Sequence, residues 1–461
     1  MRVQIKNLGI LKQAELSLGD FTIICGSNNT GKTYATYALF GFLSFWHDAY
    51  NIPIPTQDIE TLLTDGVVQL SLSEYAHRAP EIIAESCVVY TKQLSTVFAS
   101  GKEKFQETEF QITVEQQPLN LTQTYEQRIG SANAERFAII KSAKSDQLVV
   151  SLLGEREPVR IPREIIAQFI SDALKTVLFS QIVPRPFIAS AERTGAAIFR
   201  KELNFTRNRV LEEMSQTEKS INPIELLLKS YQDYALPVKA NVEFTRDLES
   251  IAQQSSFIRE EQPTLLSDFA DIIGGEYTVT RQDELYYVPR GKRVKLTMDE
   301  SSSGVRSLLD IGFYLKHVAQ RGDLLMIDEP ELNLHPENQR RLARLLASLV
   351  NLGVKVFITT HSDYLIKELN TLIMLNHDKP HLRQIAEVEG YRSGELLRAE
   401  QLRVFVAEKA SILLDGNTRK SQQHTLTPAG IDPELGIEVG SFDKTIDEMN
   451  RIQEAIVWGA A

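Results

Sequence analysis

The sequence predicts an α/β fold on a mixed central sheet, with a β-rich N-terminal part, a helical mid-chain insertion and a small C-terminal α/β cap. Three observations carry that reading. Phe21–Cys25 is a near-continuous apolar run leading into a glycine-bearing turn and then an apolar helix, the pattern of a strand buried on both faces. Leu324–Ile327 and the run from Phe357 are apolar too, and they flank a helix on which Leu342, Leu345, Leu346 and Leu349 form one stripe ending at Gly353. A strand–helix–strand unit of this kind makes its strands parallel and neighbouring. Before Phe21, Val3 and Ile5, then Ala14, Leu16 and Leu18, alternate with polar residues, as half-buried strands do.

The elements follow in order. Gly19-Asp20 supplies a turn before Phe21. FQITVEQQ, RFAIIKSA and QLVVSLL read as three strands, Pro162 to Ser180 as an amphipathic helix, and Pro184 to Ser190 as a short strand. A mostly helical stretch from Gly195 to Phe269 is broken by Pro223, Pro237 and Pro263. No helix there runs much beyond roughly 30 residues, which excludes a long coiled-coil arm. A hairpin of YTVT and LYYVP turns about Gln282-Asp283, the α/β pattern resumes at Leu296, and a strand at Gly430-Ile431 and a helix within Phe442–Trp458 close the chain. Residues 1–48 and 270–375 are thus expected as two halves of one head, interrupted by a mixed insertion at 49–180 and a strand-plus-helical one at 181–269, with the cap at 376–461.

Composition narrows the function classes. With 61 acidic residues against 50 basic ones, net charge −11, the chain does not suit wrapping in nucleic acid over its whole surface, although a local basic groove stays compatible. Cys25 and Cys87 have no metal-ligand spacing, and Cys25 sits in an apolar run, so reduced thiols in a reducing compartment are expected. The most apolar stretch, Tyr34 to Trp46, is 13 residues, short of the roughly 20 a membrane helix needs. MRVQIKNLGI has no signal-peptide core, so a cytoplasmic protein is expected.

Four segments carry chemistry. Gly26-Ser27-Asn28-Asn29-Thr30-Gly31-Lys32-Thr33 fits G-x-x-x-x-G-K-[ST] between a strand and a helix. Its glycines let backbone N–H groups curl around phosphate oxygens, Lys32 suits the β- and γ-phosphates, and the Thr33 hydroxyl suits Mg²⁺. Asp323-Leu-Leu-Met-Ile-Asp-Glu-Pro330 is a strand ending in two acids: Asp328 to hold the metal or its waters, Glu329 to polarise an attacking water. Ser301-Ser302-Ser303-Gly304-Val305-Arg306 opens a helix whose Val305, Leu308, Leu309 and Phe313 form a buried face; it reads as an ordinary N-cap or as a second anion-binding helix start. Phe357-Ile-Thr-Thr-His-Ser362 ends a strand in a histidine, either structural or a hydrogen-bonding sensor of the γ-phosphate. Glu192-Arg193 follows a strand and either closes a surface turn or serves the site. The basic run Arg193, Arg200, Lys201, Arg207 and Arg209 fits a solvated helix better than a nucleic-acid contact.

In this order the four segments resemble the ABC-type ATPases, a class that includes SMC proteins, RecF, the OLD family and compact prokaryotic AAA-type ATPases. The resemblance implies an ABC-type head binding ATP and Mg²⁺ between two head-to-tail copies. It implies Gly26 to Thr33 as Walker A, Asp328 and Glu329 as the Walker B pair, Ser302-Ser303-Gly304 as the signature core, Leu332–Pro336 as the D-loop and His361 as the switch histidine. Val305 stands where the signature usually has glutamine, and Gln181 and Ala189–Arg193 are the candidates for the Q-loop region. The LHP form of the D-loop resembles the OLD and RecF-related branch more than transporter subunits. The A-E-R-T-G segment at 190s positions resembles one that recurs in the compact ATPases, which implies a role for Glu192 and Arg193 near the nucleotide or the dimer interface.

Lys32, Glu329 and His361 are accordingly expected in catalysis, and Thr33 and Asp328 at the metal. No acid cluster of a nuclease follows the head. The resemblance to defence ATPases of the Septu, PARIS and retron-linked kind therefore implies a homo-oligomeric sensor or scaffold that controls a separate nuclease effector, with DNA or a phage component as possible trigger and no membrane. A RecF-like repair ATPase that binds DNA directly is the alternative, and a transporter nucleotide-binding subunit the third.

Overall fold

Strand β3 (Phe21–Cys25) has all five residues buried, which its unbroken apolar run demands, because only a central strand covered on both faces hides every side chain. It belongs to a computed structural model that describes residues 1–114, 122–131, 134–153, 162–198, 234–280, 284–438 and 448–456. Arg200 to Arg209 of the basic run, Pro223, Gln282-Asp283, residues 115–117 of the first expected mid-chain strand, and 442–447 and 457–458 of the expected last helix lie outside the described residues. The chain separates into two units, one of residues 1–3, 42–93 and 110–185, the other of 4–41, 94–109 and 186–461.

The second unit is built on the sheet that contains β3. Its strands lying mainly in this unit are β1 (Arg2–Leu8), β2 (Leu11–Ser17), β3, β4 (Pro186–Ala189), β5 (Leu324–Asp328), β6 (Lys355–Thr360), β7 (Leu402–Ile412) and β8 (Ser421–Pro428). They lie in the order β1-β2-β8-β7-β3-β6-β5-β4. β4, β5, β6, β3 and β7 are mutually parallel where they meet, while β7 and β8 form an antiparallel pair, so the sheet is mixed. The segment expected as a C-terminal cap thus places its two longest strands inside the main sheet, β7 beside β3 and β8 beside β7. Leu402, Val404 and Ala407 of β7 are buried, and the strand was not picked out from the sequence because Glu408 and Lys409 break its apolar run.

Helix α1 (Lys32–Asp48) follows β3. Helix α2 (Arg193–Ile198) follows β4, and α3 (Leu236–Arg246) lies further on. Helix α4 (Ser303–Ser307) precedes β5; α5 (Pro336–Asn351) connects β5 to β6, and α6 (Asp363–Met374) follows β6. On α5 the expected leucine stripe is buried, and Gly353 takes a φ of 89° at its exit, the left-handed geometry that glycine adopts without a side-chain clash. β5 and β6 are adjacent and parallel, Asp328 pairing with Thr359. β6 in turn pairs with β3, Thr360 opposite Cys25, and Ile327 of β5 pairs with Ala189 of β4. The carboxyl ends of β3, β6, β5 and β4 therefore share one edge, where open α/β sheets place their ligands.

The first unit carries a four-stranded antiparallel sheet in the order Val67–Ser71, Gln147–Leu152, Ala134–Lys141, Tyr125–Ser131. Two of these strands were expected from alternation; Val67–Ser71 and Tyr125–Ser131 are too short or too polar to signal themselves. The expected amphipathic helix is Arg163–Leu174, continued by a π-helical turn at Lys175–Phe179. An aromatic cluster in this unit stacks Trp46 on Tyr50, with Phe42 edge-on to Tyr90. Among the described residues no helix is long and apolar enough to cross a membrane.

Candidate functional site

The loop after β3 needs its glycines for two separate reasons. Gly26 has φ 137° and Gly31 φ 100°, a region L side chains rarely enter. A Cβ on Gly26 would also strike the backbone oxygen of Ala407 on β7, and one on Gly31 would lie 2.7 Å from the Leu11 side chain. The loop threads between neighbours that admit backbone only. Asn29 takes φ 60°, tolerated by asparagine better than by most residues. Ser27, Asn28 and Asn29 are exposed, Thr30 is half-buried and its hydroxyl donates to the Ser27 carbonyl at 2.8 Å.

Lys32 turns back into this loop. Its Nζ donates to the carbonyls of Gly26 at 2.9 Å and Ser27 at 2.8 Å. Burial lowers the pKa of this ammonium, against the raising influence of Glu329, Asp328 and Glu331. A desolvated cation held by neutral carbonyls gains from exchanging them for an anion's oxygens.

Asp328 ends β5. Its Oδ2 accepts from the Thr33 hydroxyl at 3.4 Å, and its Oδ1 accepts from the Thr359 hydroxyl. The carboxyl is 2 % exposed, and burial pushes its pKa up to about 6, opposed by the Thr359 hydrogen bond. Glu329 lies beyond the strand end with φ 52°, and its N–H donates to the Thr359 carbonyl at 3.1 Å. This left-handed step re-aims the chain, so the direction of Glu329 follows from the turn rather than from strand alternation. Its Oε1 lies 3.6 Å from Nδ1 of His361.

His361 stands between two acids, since Oε1 of Glu331 is 3.8 Å from the same nitrogen. Glu331 is 8 % exposed; its Oε1 accepts from the Thr360 hydroxyl at 2.8 Å and from the His361 N–H at 2.9 Å. Sequence reasoning missed Glu331, Thr359 and Thr360. Their signal was the third acid in Asp328-Glu-Pro-Glu331 and two hydroxyls closing an otherwise apolar strand.

Glu192 is an exposed turn residue, whereas Arg193 begins α2 and is buried. Glu192 Oε2 accepts from the Tyr37 hydroxyl of α1 at 2.9 Å. Arg193 is 1 % exposed, and its guanidinium donates to the carbonyls of Ser190 (2.8 Å), Asp328 (2.7 Å), Glu329 (2.9 Å) and Ser307 (2.6 Å). Burial lowers its pKa, while Asp310, Asp328, Glu331 and Glu329 counter this. Gln181, the other candidate for the Q-loop region, is an exposed turn residue of the first unit.

Ser302 caps α4, its hydroxyl accepting from the Val305 N–H at 3.3 Å. Ser302 and Ser303 are nonetheless exposed, and Gly304 is half-buried; a Cβ on Gly304 would lie 3.0 Å from the Asn333 carbonyl, so the glycine lets the Leu332–Pro336 turn pack close. Ser307 ties the same turn by donating to the Leu332 carbonyl at 3.0 Å. The structure thus gathers Lys32, Thr33, Asp328, Glu329 and His361 at one sheet edge. Among the described residues no hydrogen bond joins Ser302 or Ser303 to the phosphate loop; their chain connects to that edge through Ser307, Arg193 and the Asn333 turn.

The family described as AAA_15, AAA ATPase domain, matches residues 1–366. No curated protein matches the chain. Among solved structures, the Smc head domain with an extended coiled coil bound to the C-terminal domain of ScpA from Pyrococcus furiosus is similar at 13% identity and a TM-score of 0.32, covering 98% of each chain. The SMC head domain from Thermotoga maritima is similar at 12% identity and a TM-score of 0.30, covering 93% of this chain and 98% of that one.

Proposed function

Because the chain belongs to the AAA ATPase domain family, matched over residues 1–366, we propose that it hydrolyses ATP at the carboxyl edge of β3, β6 and β5. The observation that carries this is the Thr33–Asp328 contact of 3.4 Å, which brings the end of the phosphate loop to the end of the acidic strand from positions far apart in sequence. The pair fits Mg²⁺: a hydroxyl and a desolvated carboxylate are hard oxygen donors, and Mg²⁺ takes few protein ligands and completes its shell with phosphate oxygens and water. Held by Thr33 and Asp328, the ion would neutralise charge on the phosphates. Lys32 exchanges the Gly26 and Ser27 carbonyls for phosphate oxygens. Glu329 accepts hydrogen-bonded water and orients it, and His361, beside that carboxylate, offers a hydrogen bond to the γ-phosphate.

The exposed Ser302 and Ser303 support a site completed by a second, head-to-tail copy. Closure on ATP and release on hydrolysis then become the output. Mixing Lys32→Ala with Ser303→Arg protein is expected to restore up to one working site per dimer. Recovery no greater than the single variants give would remove the shared site and leave hydrolysis within one chain.

The resemblance in motif layout supports a further step, a sensor or scaffold that governs a separate nuclease effector in anti-phage defence. Co-purification of the product of a neighbouring gene, lost with phage resistance in Glu329→Gln, is the expected result. Salt-sensitive, ATP-dependent duplex binding by the protein alone would instead place it with DNA-repair ATPases.

A further inference from the structure

The Arg193 guanidinium uses its fork in a way that neither the motifs nor the fold requires. Arginine offers five N–H donors in a rigid plane, and here they meet four carbonyls from three segments: Ser190 after β4, Asp328 and Glu329 at the end of β5, and Ser307 at the end of α4. Two of the four belong to the residues best placed for chemistry. Glu329 also sits at φ 52°, and a non-glycine residue persists there only when its surroundings fix it. The Glu329 N–H is held by the Thr359 carbonyl and its own carbonyl by Arg193, so the peptide groups on both sides of the strained residue are clamped.

From this geometry we infer that Arg193 is a positioning residue for ATP hydrolysis, acting through Glu329. The inference rests on the reading of Glu329 as the residue that orients water. The buried Arg193 guanidinium spends its donors on backbone carbonyls; its fork fixes the backbone from which the Glu329 carboxylate projects. A lysine retains the charge opposite Asp310 but reaches at most some of these carbonyls, and without the planar fork it cannot hold Asp328, Glu329 and Ser307 in one geometry.

The test is a pair of ATPase series in the full chain. Arg193→Lys is expected to lower kcat by about 100-fold, the scale of a displacement near 1 Å at a reacting group, with the Kd for ATP within about threefold of the parent because Lys32 and Thr33 are untouched. In a Glu329→Gln background the same change is expected to lower kcat no further, since two residues acting as one unit are not additive. A merely structural role predicts the opposite pattern: Kd rising well beyond threefold as kcat falls, or a full additional loss in the Glu329→Gln background, and either result overturns the inference. If Arg193→Lys gives no cooperative melt, Arg193→Gln, whose amide keeps two donors, is measured by the same criteria. Undiminished hydrolysis by Glu329→Gln alone would refute the underlying reading of Glu329, a failure distinct from additivity.

Discussion

Glu329 couples chemistry to backbone strain, and its substitution separates the two. At φ 52° a residue with a Cβ bears roughly 1–2 kcal/mol relative to glycine. Elsewhere in a regular element the preference runs the other way, with glycine about 0.5–1 kcal/mol less stable than alanine. Glu329→Ala removes the carboxylate and keeps the strain, whereas Glu329→Gly removes both. The order of stability is therefore expected to invert, with Glu329→Gly above Glu329→Ala by about 1 kcal/mol, while both variants lose ATP hydrolysis. Urea titrations of the two proteins, run side by side with an ATPase assay, read this directly. An alanine variant as stable as the glycine variant would show that position 329 does not occupy the left-handed conformation in solution, and the argument that its surroundings clamp it would go with it.

Two further outcomes follow from buried ionisable groups. Burial pushes the Asp310 carboxyl up to about 7, with Arg193 and the Thr245 hydroxyl opposing. A pKa raised on folding gives stability that is present below about pH 4 and lost as pH rises through about 7, so Asp310→Asn should gain on the parent by about 2 kcal/mol between pH 5 and pH 8; a gap independent of pH would contradict it. Cys25 and Cys87 are both buried and free, and burial pushes each thiol up to about 12. Iodoacetamide at pH 8 should therefore modify neither in the folded protein and both after unfolding, as mass spectrometry would record.

What the sequence made legible was what has a local signature. The phosphate loop announces itself because glycine is obligatory where φ is 137° and 100°, and the β5–α5–β6 unit because its leucine stripe and apolar runs have distinct periods. Arg193 was visible as a basic residue after a strand, and the A-E-R-T-G resemblance implied a role near the site without saying which. Its role depends on Ser307, Asp328 and Glu329 converging on it, and no spacing rule encodes a side chain whose partners are backbone carbonyls. Glu331 was hidden for a related reason, since its partners Thr360 and the His361 N–H lie across a strand pairing. β7 and β8 were not picked out within the expected cap, and a strand's neighbours, not its own alternation, decide whether it is central.

The placement of those two strands has a consequence for biosynthesis. β1 and β2 are synthesised before β3, yet they reach it only by way of β8 and β7, which are synthesised after every other strand of that sheet. Until then β3 and β2 each present an open edge with unmet backbone donors and acceptors, and no amount of local order can join them. Assembly of the head is thus a late event with long-range closure, which makes it slow. A nascent chain stalled short of residue 402 would display the phosphate loop without the Ala407 backbone against which Gly26 is moulded.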